Sequence, residues 1–246
     1  FVSPKWYLDA PDFKKASGLE LNVFNEAGDK CPRFMAVTLK DVTVAPSPLW
    51  LQIELVRLGS KPINNSVDAT NYVMLLTAQP THAYDYDKLR GATLGVRMAR
   101  QNETVKLLND KTYSLTEDDV VIVDGEGIVG LGGMMGGGNS EVSVETKNVV
   151  LECAAFDMYA VRKTSMRHGL FTDAVTRFSK GQSPLQQPVV LGLLMLSVID
   201  TAGGVQASEA FDEHIELSPS PVLTVDANFV NERLGVKLSG RQIADL

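Results

Sequence analysis

Cysteine, histidine and long apolar runs are all scarce in this sequence. The 246 residues include 2 cysteines and 3 histidines. Cys31 and Cys153 lie far apart and match no zinc-ligand spacing, so the sequence predicts two reduced thiols rather than a disulfide framework. The histidines form neither an H-E-x-x-H pattern nor a cluster with cysteine. No metal site is therefore predicted.

The apolar runs are too short to cross a membrane. The longest extends from Val189 to Ile199 and is interrupted by Gly192 and Ser197. A membrane-spanning helix needs about 20 residues, so this run predicts a buried helix. The first residues contain no signal-peptide core, and both ends are typical of cuts in a longer protein. A cytoplasmic protein is the expectation.

Basic side chains are also fewer than acidic ones. The chain has 23 basic and 30 acidic side chains, which gives a net charge of −7, with 44% hydrophobic and 22% charged residues. This composition is that of an ordinary globular domain. Proteins that grip a long stretch of nucleic acid usually carry a basic face, so the charge argues against DNA binding. It leaves recognition of a short single-stranded end open.

The apolar pattern predicts a mixed α/β domain rich in short strands. Strands are predicted over residues 21–24, 33–44, 94–98, 104–107, 112–115, 120–123 and 148–153. Helices are predicted over residues 72–77, 158–168 and 173–180, and from residue 183 to residue 202. The predicted organisation is a lead-in over residues 1–30, a domain over residues 31–207, and a linker with the start of a small helical unit over residues 208–246.

A further helix is predicted to begin at Ser47 and Pro48 and to end at Gly59. Four of its apolar residues share one face at helical spacing, which predicts that this face packs on the core. They are Leu49, Trp50, Ile53 and Val56.

Glycines crowd residues 130–140 (GLGGMMGGGNS), here called the glycine loop. The segment from Gly133 to Ser140 resembles a phosphate-binding loop, but Asn139 stands where that loop requires lysine. The dinucleotide pattern fails as well, because Met135 stands at the sixth position. Glycines still allow a ligand to approach the backbone closely, so a ligand-lining loop and a plain turn both remain open.

Three other features allow two interpretations each. His82 is either a structural histidine or a group facing a cleft. Glu152 lies in an apolar strand, where alternation allows it to face either solvent or a pocket that supplies a partner. Residues 158–181 carry five basic side chains and one acidic one, which is typical of a solvated helix face or of a phosphate contact.

Five segments, in this order, resemble the β subunit of bacterial phenylalanyl-tRNA synthetase. They are Lys61–Met74 (KPINNSVDATNYVM), Gln79–Asp85 (QPTHAYD), Gly132–Gly137 (GGMMGG), Leu151–Phe156 (LECAAF) and Arg167–Phe178 (RHGLFTDAVTRF). The resemblance covers about residues 30–207, the editing domain of that family, and the residues from about 209 resemble the start of the next, helical domain.

The resemblance implies an α+β fold: a layered β-sandwich of unusual topology flanked by helices, followed by a partial small helical domain. It implies hydrolysis of tyrosine wrongly attached to phenylalanine tRNA. The implied partners are the acceptor end of that tRNA and the synthetase α subunit, in an α2β2 heterotetramer. No cofactor is implied for this section, and ATP and magnesium serve the aminoacylation centre of the parent enzyme.

The resemblance also assigns residues. It carries over His82, Asn71 and Thr172 as catalytic, with water as the attacking group. It carries over five residues as substrate-binding: Glu152, which accepts the tyrosine hydroxyl, and Thr70, Gly133, Gly136 and Ala174.

The sequence departs from the family at several positions. Ala78 replaces a glycine, Tyr84 a phenylalanine and Val175 a serine. These changes are expected to alter the rim of the pocket and to leave the residues assigned above in place. The alternative hypothesis is the same fold retained as a non-catalytic structural or tRNA-binding module, which a closed pocket would favour.

Overall fold

Two β-sheets and the helices around them organise the chain. The computed structural model describes residues 12–217 and 222–245. Its strands are β1 (Asn22–Asn25), β2 (Arg33–Lys40), β3 (His82–Asp85), β4 (Thr93–Met98), β5 (Thr104–Lys106), β6 (Thr112–Ser114), β7 (Val120–Val123), β8 (Ile128–Leu131), β9 (Met135–Gly136), β10 (Val149–Ala155), β11 (Val205–Gln206) and β12 (Phe211–His214). Its helices are α1 (Leu49–Arg57), α2 (Asn65–Thr77), α3 (Met158–His168), α4 (Asp173–Phe178), α5 (Gln187–Ala202), α6 (Ala227–Leu234) and α7 (Gly240–Ala244).

The first sheet has the strand order β1-β4-β7-β8-β9, and the second has β11-β2-β10-β3 with β12 also paired to β2. In the first sheet, β1 runs parallel to β4 and the other pairs are antiparallel. Strands β5 and β6 form a separate hairpin. Neighbours in the sheets are often distant in sequence, so the topology is not that of simple hairpins. The predicted mixed α/β class with layered sheets is confirmed.

Strand β10 separates two hydrophobic cores, and all seven of its residues are buried. Val150 and Ala154 point into the core shared with the first sheet. Leu151 and Cys153 point into the core shared with α2 and α5. Because both faces of β10 are covered, the side chain of Glu152 cannot face solvent. Of the two orientations that alternation allowed, the structure therefore shows the inward one.

Helix α2 begins seven residues earlier than the predicted start at Tyr72. The side chain of Asn64 accepts hydrogen bonds from the backbone N–H groups of Ser66 and Val67, as an N-cap does. Asp68 in the first turn accepts from the Ser47 hydroxyl and from the Ile63 N–H. The polar residues that indicated a turn are thus the cap and buried first turn of the helix.

The prediction for the face of α1 is wrong. The helix starts at Leu49 without a cap from Ser47, whose hydroxyl donates to Asp68. Leu51 and Leu55 are the buried residues, whereas Leu49, Trp50, Ile53 and Val56 are exposed. Both sets have helical spacing, so periodicity alone could not select the face that is buried.

Most other elements agree with the sequence. Asp157 caps α3 and Gly169 ends it in the left-handed region, as predicted. The strand predicted to reach residue 44 ends at Lys40, because Asp41 takes a positive φ of 60°. Helix α4 ends at Phe178 rather than Lys180, and α5 begins at Gln187, after the predicted start.

Residues predicted as linker contain a strand. Phe211–His214 (β12) pairs antiparallel with the start of β2. Arg33 of β2 holds Asp212 of β12 through two hydrogen bonds, from Nε at 2.7 Å and from Nη2 at 2.5 Å. Helix α6, beginning after the Asp226 cap, agrees with the predicted small helical unit. The domain boundaries stay predictions.

Cys31 and Cys153 are free and buried. Burial raises the pKa of both thiols. Across residues 12–217 and 222–245, no helix combines the length and apolarity that crossing a bilayer requires.

Candidate functional site

A cleft of about 400 Å³, its mouth included, opens where β3, β10, the glycine loop and α4 meet. We call it the Glu152 pocket. Its walls are Pro80, Thr81, His82 and Tyr84 on one side, Leu131, Gly133, Met134, Met135 and Gly136 from the glycine loop, Glu152 and Phe156 of β10 and the residue after it, and Ala174 and Phe178 of α4. An apolar cleft with a few convergent polar groups is the usual form of a ligand site.

Glu152 provides the buried acid of this pocket. Its neighbours across the sheet are His82 on β3 and Ala36 on β2. It is 6% exposed, and burial raises its pKa to about 7, against the opposing effect of a hydrogen bond from Tyr84. Near neutral pH, the protonated and ionised forms of the carboxyl group are therefore both populated.

His82 lies beside Glu152 and is neutral at neutral pH. Burial lowers its pKa to about 4, because desolvation disfavours the imidazolium form. Its ring meets that of Tyr84 edge-on, with centroids 4.5 Å apart. A neutral imidazole keeps one nitrogen free to accept a proton or a hydrogen bond.

The glycine loop brings backbone close to the His82 ring. A Cβ atom on Gly136 would lie 2.6 Å from His82 Nε2, so only glycine leaves the ring in place. Gly133 has a positive φ of 70° and packs beside Phe156 and Val161. The loop contains the short β8–β9 turn and also lines the pocket, so the two interpretations left open by its sequence are compatible.

Thr172 supports a wall of the pocket. Its hydroxyl donates to the carbonyl of Met134 at 2.9 Å and accepts from the Val175 N–H as the N-cap of α4. The bond ties α4, which carries Ala174, to the glycine loop. The structure thus gives Thr172 a place behind the lining rather than in it.

Thr70 and Asn71 are not among the residues that line the pocket. The Thr70 hydroxyl donates to the Val67 carbonyl at 2.7 Å within α2. The Thr70 carbonyl accepts from Thr81 at 3.3 Å, which links α2 to the pocket edge. Asn71 follows on the same helix and is half-buried. Of the eight predicted residues, the pocket brings together His82, Glu152, Gly133, Gly136 and Ala174; the functional roles of all eight stay predictions.

Sequence reasoning missed one residue that lines the pocket and one that supports its edge. Tyr84, expected to alter only the rim, is 2% exposed and donates its hydroxyl to Glu152 Oε2 at 3.2 Å. Gln79 is fully buried and donates to the carbonyls of Pro80 and Ala154, which fixes the chain entering β3. The alternation of His82 and Tyr84 in one strand was the signal available for Tyr84.

The basic stretch of residues 158–181 is largely paired. Lys163 and Arg167 contact Asp118, Arg167 also contacts the buried Asp119, and Arg177 contacts Asp173. Pairing of three of the five cations favours the solvated helix face over a phosphate contact. In the described ranges, no three His, Cys, Asp or Glu side chains gather as a metal site would require.

A family model and several known proteins match this chain. A family model described as the B3/4 domain matches residues 30–203. The phenylalanine–tRNA ligase β subunit of Oceanobacillus iheyensis is 37% identical over 242 residues, covering 98% of this chain and 30% of the relative. That of Latilactobacillus sakei is 41% identical over 218 residues, with 87% and 27% covered, and that of Lactobacillus johnsonii is 41% identical over 234 residues, with 94% and 28% covered.

These relatives agree with the resemblance found in the sequence. The chain spans less than a third of their length. A solved structure, an N-terminal fragment of the phenylalanyl-tRNA synthetase β subunit from Pyrococcus horikoshii, covers 98% of this chain and 68% of its own at 14% identity and a TM-score of 0.47.

Proposed function

The chain belongs to the B3/4 domain family, and from the Glu152 pocket that its domain builds we propose that it hydrolyses tyrosine esters of phenylalanine tRNA. It would do so as part of a phenylalanine–tRNA ligase β subunit, the protein that its curated relatives represent. The attacking group is water. The buried carboxyl group of Glu152 in an otherwise mostly apolar cleft is the observation that carries this proposal.

The chemistry of selection follows from that carboxyl group. A synthetic site for phenylalanine rejects an added hydroxyl only weakly, by roughly 100-fold. A second site that requires the hydroxyl completes the discrimination. Tyrosine satisfies the second oxygen of an ionised Glu152 by donating a hydrogen bond from its phenol, whereas phenylalanine leaves that acceptor unpaired, which costs about 1–3 kcal/mol.

The walls of the pocket supply apolar surface on which one aromatic side chain can pack. Phe156 and Phe178, whose rings stack edge-on at 5.2 Å, and Met134 supply apolar surface for such a ring.

Ester hydrolysis needs a positioned water and stabilisation of the developing oxyanion. We assign the first task to His82, which is neutral and open to the cleft. The 2′ or 3′ hydroxyl of the terminal ribose is a second group able to hold the water. Backbone N–H groups of the glycine loop are the third such group. The N–H groups of Gly132, Met134 and Gly137 already bond to carbonyls, so the N–H of Gly133 is the better candidate for this role.

The remaining assignments belong to the whole enzyme. The acceptor end of the tRNA reaches the pocket, the α subunit completes an α2β2 heterotetramer, and the enzyme works in the cytoplasm. ATP and magnesium serve aminoacylation at a centre outside this chain, so no step proposed for the Glu152 pocket passes through them.

Deacylation of Tyr-tRNA(Phe) against Phe-tRNA(Phe) tests the proposal. The wild-type chain is assayed alone and within the assembled α and β subunits, with Glu152→Gln and His82→Ala beside it. We expect selective clearance of the tyrosyl ester by the wild type. Glu152→Gln should lose at least tenfold in selectivity, because the charged acceptor is gone, and His82→Ala should lose about 100-fold in rate.

Matched controls separate chemistry from folding. Glu213→Gln makes the same substitution at an exposed position of β12 and should match the wild type. A silent assembled enzyme would instead support the retained scaffold. Full activity of His82→Ala would remove His82 from the mechanism.

A further inference from the structure

The hydroxyl of Tyr84 forms a hydrogen bond with the carboxyl group of Glu152, the group that binds the ligand in the proposed function. Tyr84 Oη donates to Glu152 Oε2 at 3.2 Å. Both side chains line the pocket, and they are 2% and 6% exposed. In the β3–β10 pair, Tyr84 lies opposite Val150 and His82 lies opposite Glu152. The side chains of Tyr84, His82 and Glu152 therefore lie on the same face of the sheet.

Packing alone does not account for this hydroxyl. The ring of Tyr84 belongs to the core between the sheets and contacts His82 edge-on. A phenylalanine ring would make those contacts without placing a hydroxyl in an apolar interior, which is costly unless the group is bonded. Glu152 is the side chain that accepts from it. The hydroxyl therefore acts on Glu152.

We propose that Tyr84 is a positioning residue that sets the specificity of the Glu152 pocket. Its hydroxyl holds Oε2, fixes the plane of the carboxylate, and leaves Oε1 as the acceptor for one hydroxyl on the ligand's aromatic ring. The inference rests on the proposed function, which it deepens by naming the group that prepares Glu152. The carboxylate then accepts from two phenols, one built into the chain and one brought by the ligand.

The bond also influences whether Glu152 is charged. A hydrogen bond donated to a carboxylate favours its ionised form, and the bond from Tyr84 opposes the rise in pKa that burial causes. The other titratable groups near Glu152 are His82 and the thiols of Cys31 and Cys153. All three are neutral at neutral pH, because burial lowers the pKa of the imidazole and raises those of the thiols. Tyr84 is then the group that stabilises the charged acceptor.

Tyr84→Phe tests this role, and Tyr86→Phe is its matched control. The Tyr86 hydroxyl donates to the Glu20 carbonyl at 2.6 Å, and Tyr86 does not line the pocket. Deacylation of Tyr-tRNA(Phe) is measured between pH 6 and pH 9 in the assembled enzyme. We expect Tyr84→Phe to raise KM about tenfold at pH 7 and to recover towards pH 9, with kcat little changed, because fewer carboxyl groups are ionised at pH 7.

The control and the second variant sharpen the result. Tyr86→Phe should follow the wild-type profile. In the Glu152→Gln background, Tyr84→Phe should no longer change the pH dependence, since the titrating group is absent. A Tyr84→Phe profile that superposes on the wild type across the range overturns the inference and leaves the proposed function intact.

A measurement without catalysis decides the inference independently. The Glu152 carboxyl carbon is titrated by ¹³C NMR in the wild-type chain, Tyr84→Phe and Tyr86→Phe, with Glu152→Gln to assign the signal. We expect an upward shift of the Glu152 pKa in Tyr84→Phe alone. An unshifted titration contradicts the role of Tyr84. If the assembled enzyme clears no tyrosyl ester, the proposed function fails, while the titration still decides whether Tyr84 prepares the carboxylate.

Discussion

Glu152 and His82 face each other across β3 and β10 with pKa values displaced in opposite directions. Burial raises the pKa of Glu152 to about 7 and lowers that of His82 to about 4. In both cases the neutral form is favoured, because the interior solvates charge poorly. A ligand site that keeps a neutral base beside a half-ionised acid suits the selection and hydrolysis that we propose.

The displaced pKa of Glu152 predicts how stability depends on pH. The folded chain retains a proton up to about pH 7, whereas the unfolded chain releases it near 4.5, so folding loses free energy as the pH rises between these values. Glu152→Gln removes this loss. Relative to wild type, its free energy of unfolding should rise by on the order of 3 kcal/mol between pH 4 and pH 8.

Urea unfolding at a series of pH values measures this difference. Glu213→Gln, exposed on β12, should run parallel to the wild type. His82 contributes with the opposite sign: the wild type loses stability as the pH falls from about 6.5 to about 4, and His82→Gln should not. A constant difference between Glu152→Gln and wild type would contradict the burial argument.

At the scale of elements, the β8–β9 turn and helix α4 form the wall opposite β3. Gly136 lets the turn approach the His82 ring, and Thr172 ties α4 to the carbonyl of Met134. The sequence already marks both features, through a run of glycines and a threonine at a helix start. Their contact across the pocket depends on the packing of the two sheets.

Gly136→Ala should therefore disturb the pocket without unfolding the chain. Its Cβ atom would lie 2.6 Å from His82 Nε2, and the ring can shift. A displacement of about 1 Å in a catalytic group can cost roughly 100-fold in rate, and we expect a loss of that order in Tyr-tRNA(Phe) deacylation. Gly138→Ala, in the same loop and with no atom within 4 Å of its Cβ, is the control.

The assay compares initial rates of the two variants with wild type, and thermal melting checks that both fold. Equal activity of Gly136→Ala and Gly138→Ala would show that the position of the His82 ring is not used.

At the scale of the whole molecule, a late strand closes the second sheet. Strand β12 pairs with β2 nearly 180 residues earlier in the chain. The Arg33 side chain, 10% exposed, is bonded to Asp212 and to the Pro184 carbonyl. The polar segment after residue 207 thus contributes to the stability of the sheet that carries Glu152.

Asp212→Ala should destabilise the chain by roughly 2 kcal/mol. The substitution leaves a mostly buried guanidinium without its carboxylate, and charged hydrogen bonds contribute about 1.5–3 kcal/mol each. Urea unfolding at pH 7 measures the loss. Glu213→Ala, the exposed neighbour on the same strand, should change stability by less than about 0.5 kcal/mol. Equal effects of the two substitutions would mean that the Arg33 pair contributes nothing measurable.

The sequence by itself determined the local features of this protein. Asp157 and Gly169 mark the ends of α3, because a cap and a left-handed stop act within one turn of their own helix. The short strands over residues 93–123 follow from apolar alternation. The order of five motifs indicated the phenylalanyl-tRNA synthetase β subunit, and the B3/4 match over residues 30–203 and the β-subunit relatives agree with it.

Only the tertiary structure decided which faces are covered and which distant side chains meet. The apolar residues of α1 occupy two faces, and tertiary packing buries the one that carries Leu51 and Leu55. Glu152 is buried because β10 has a layer on each side, and Tyr84 reaches it across 68 positions of sequence. Periodicity describes one element at a time, whereas burial and hydrogen bonding across a sheet depend on what another element places opposite.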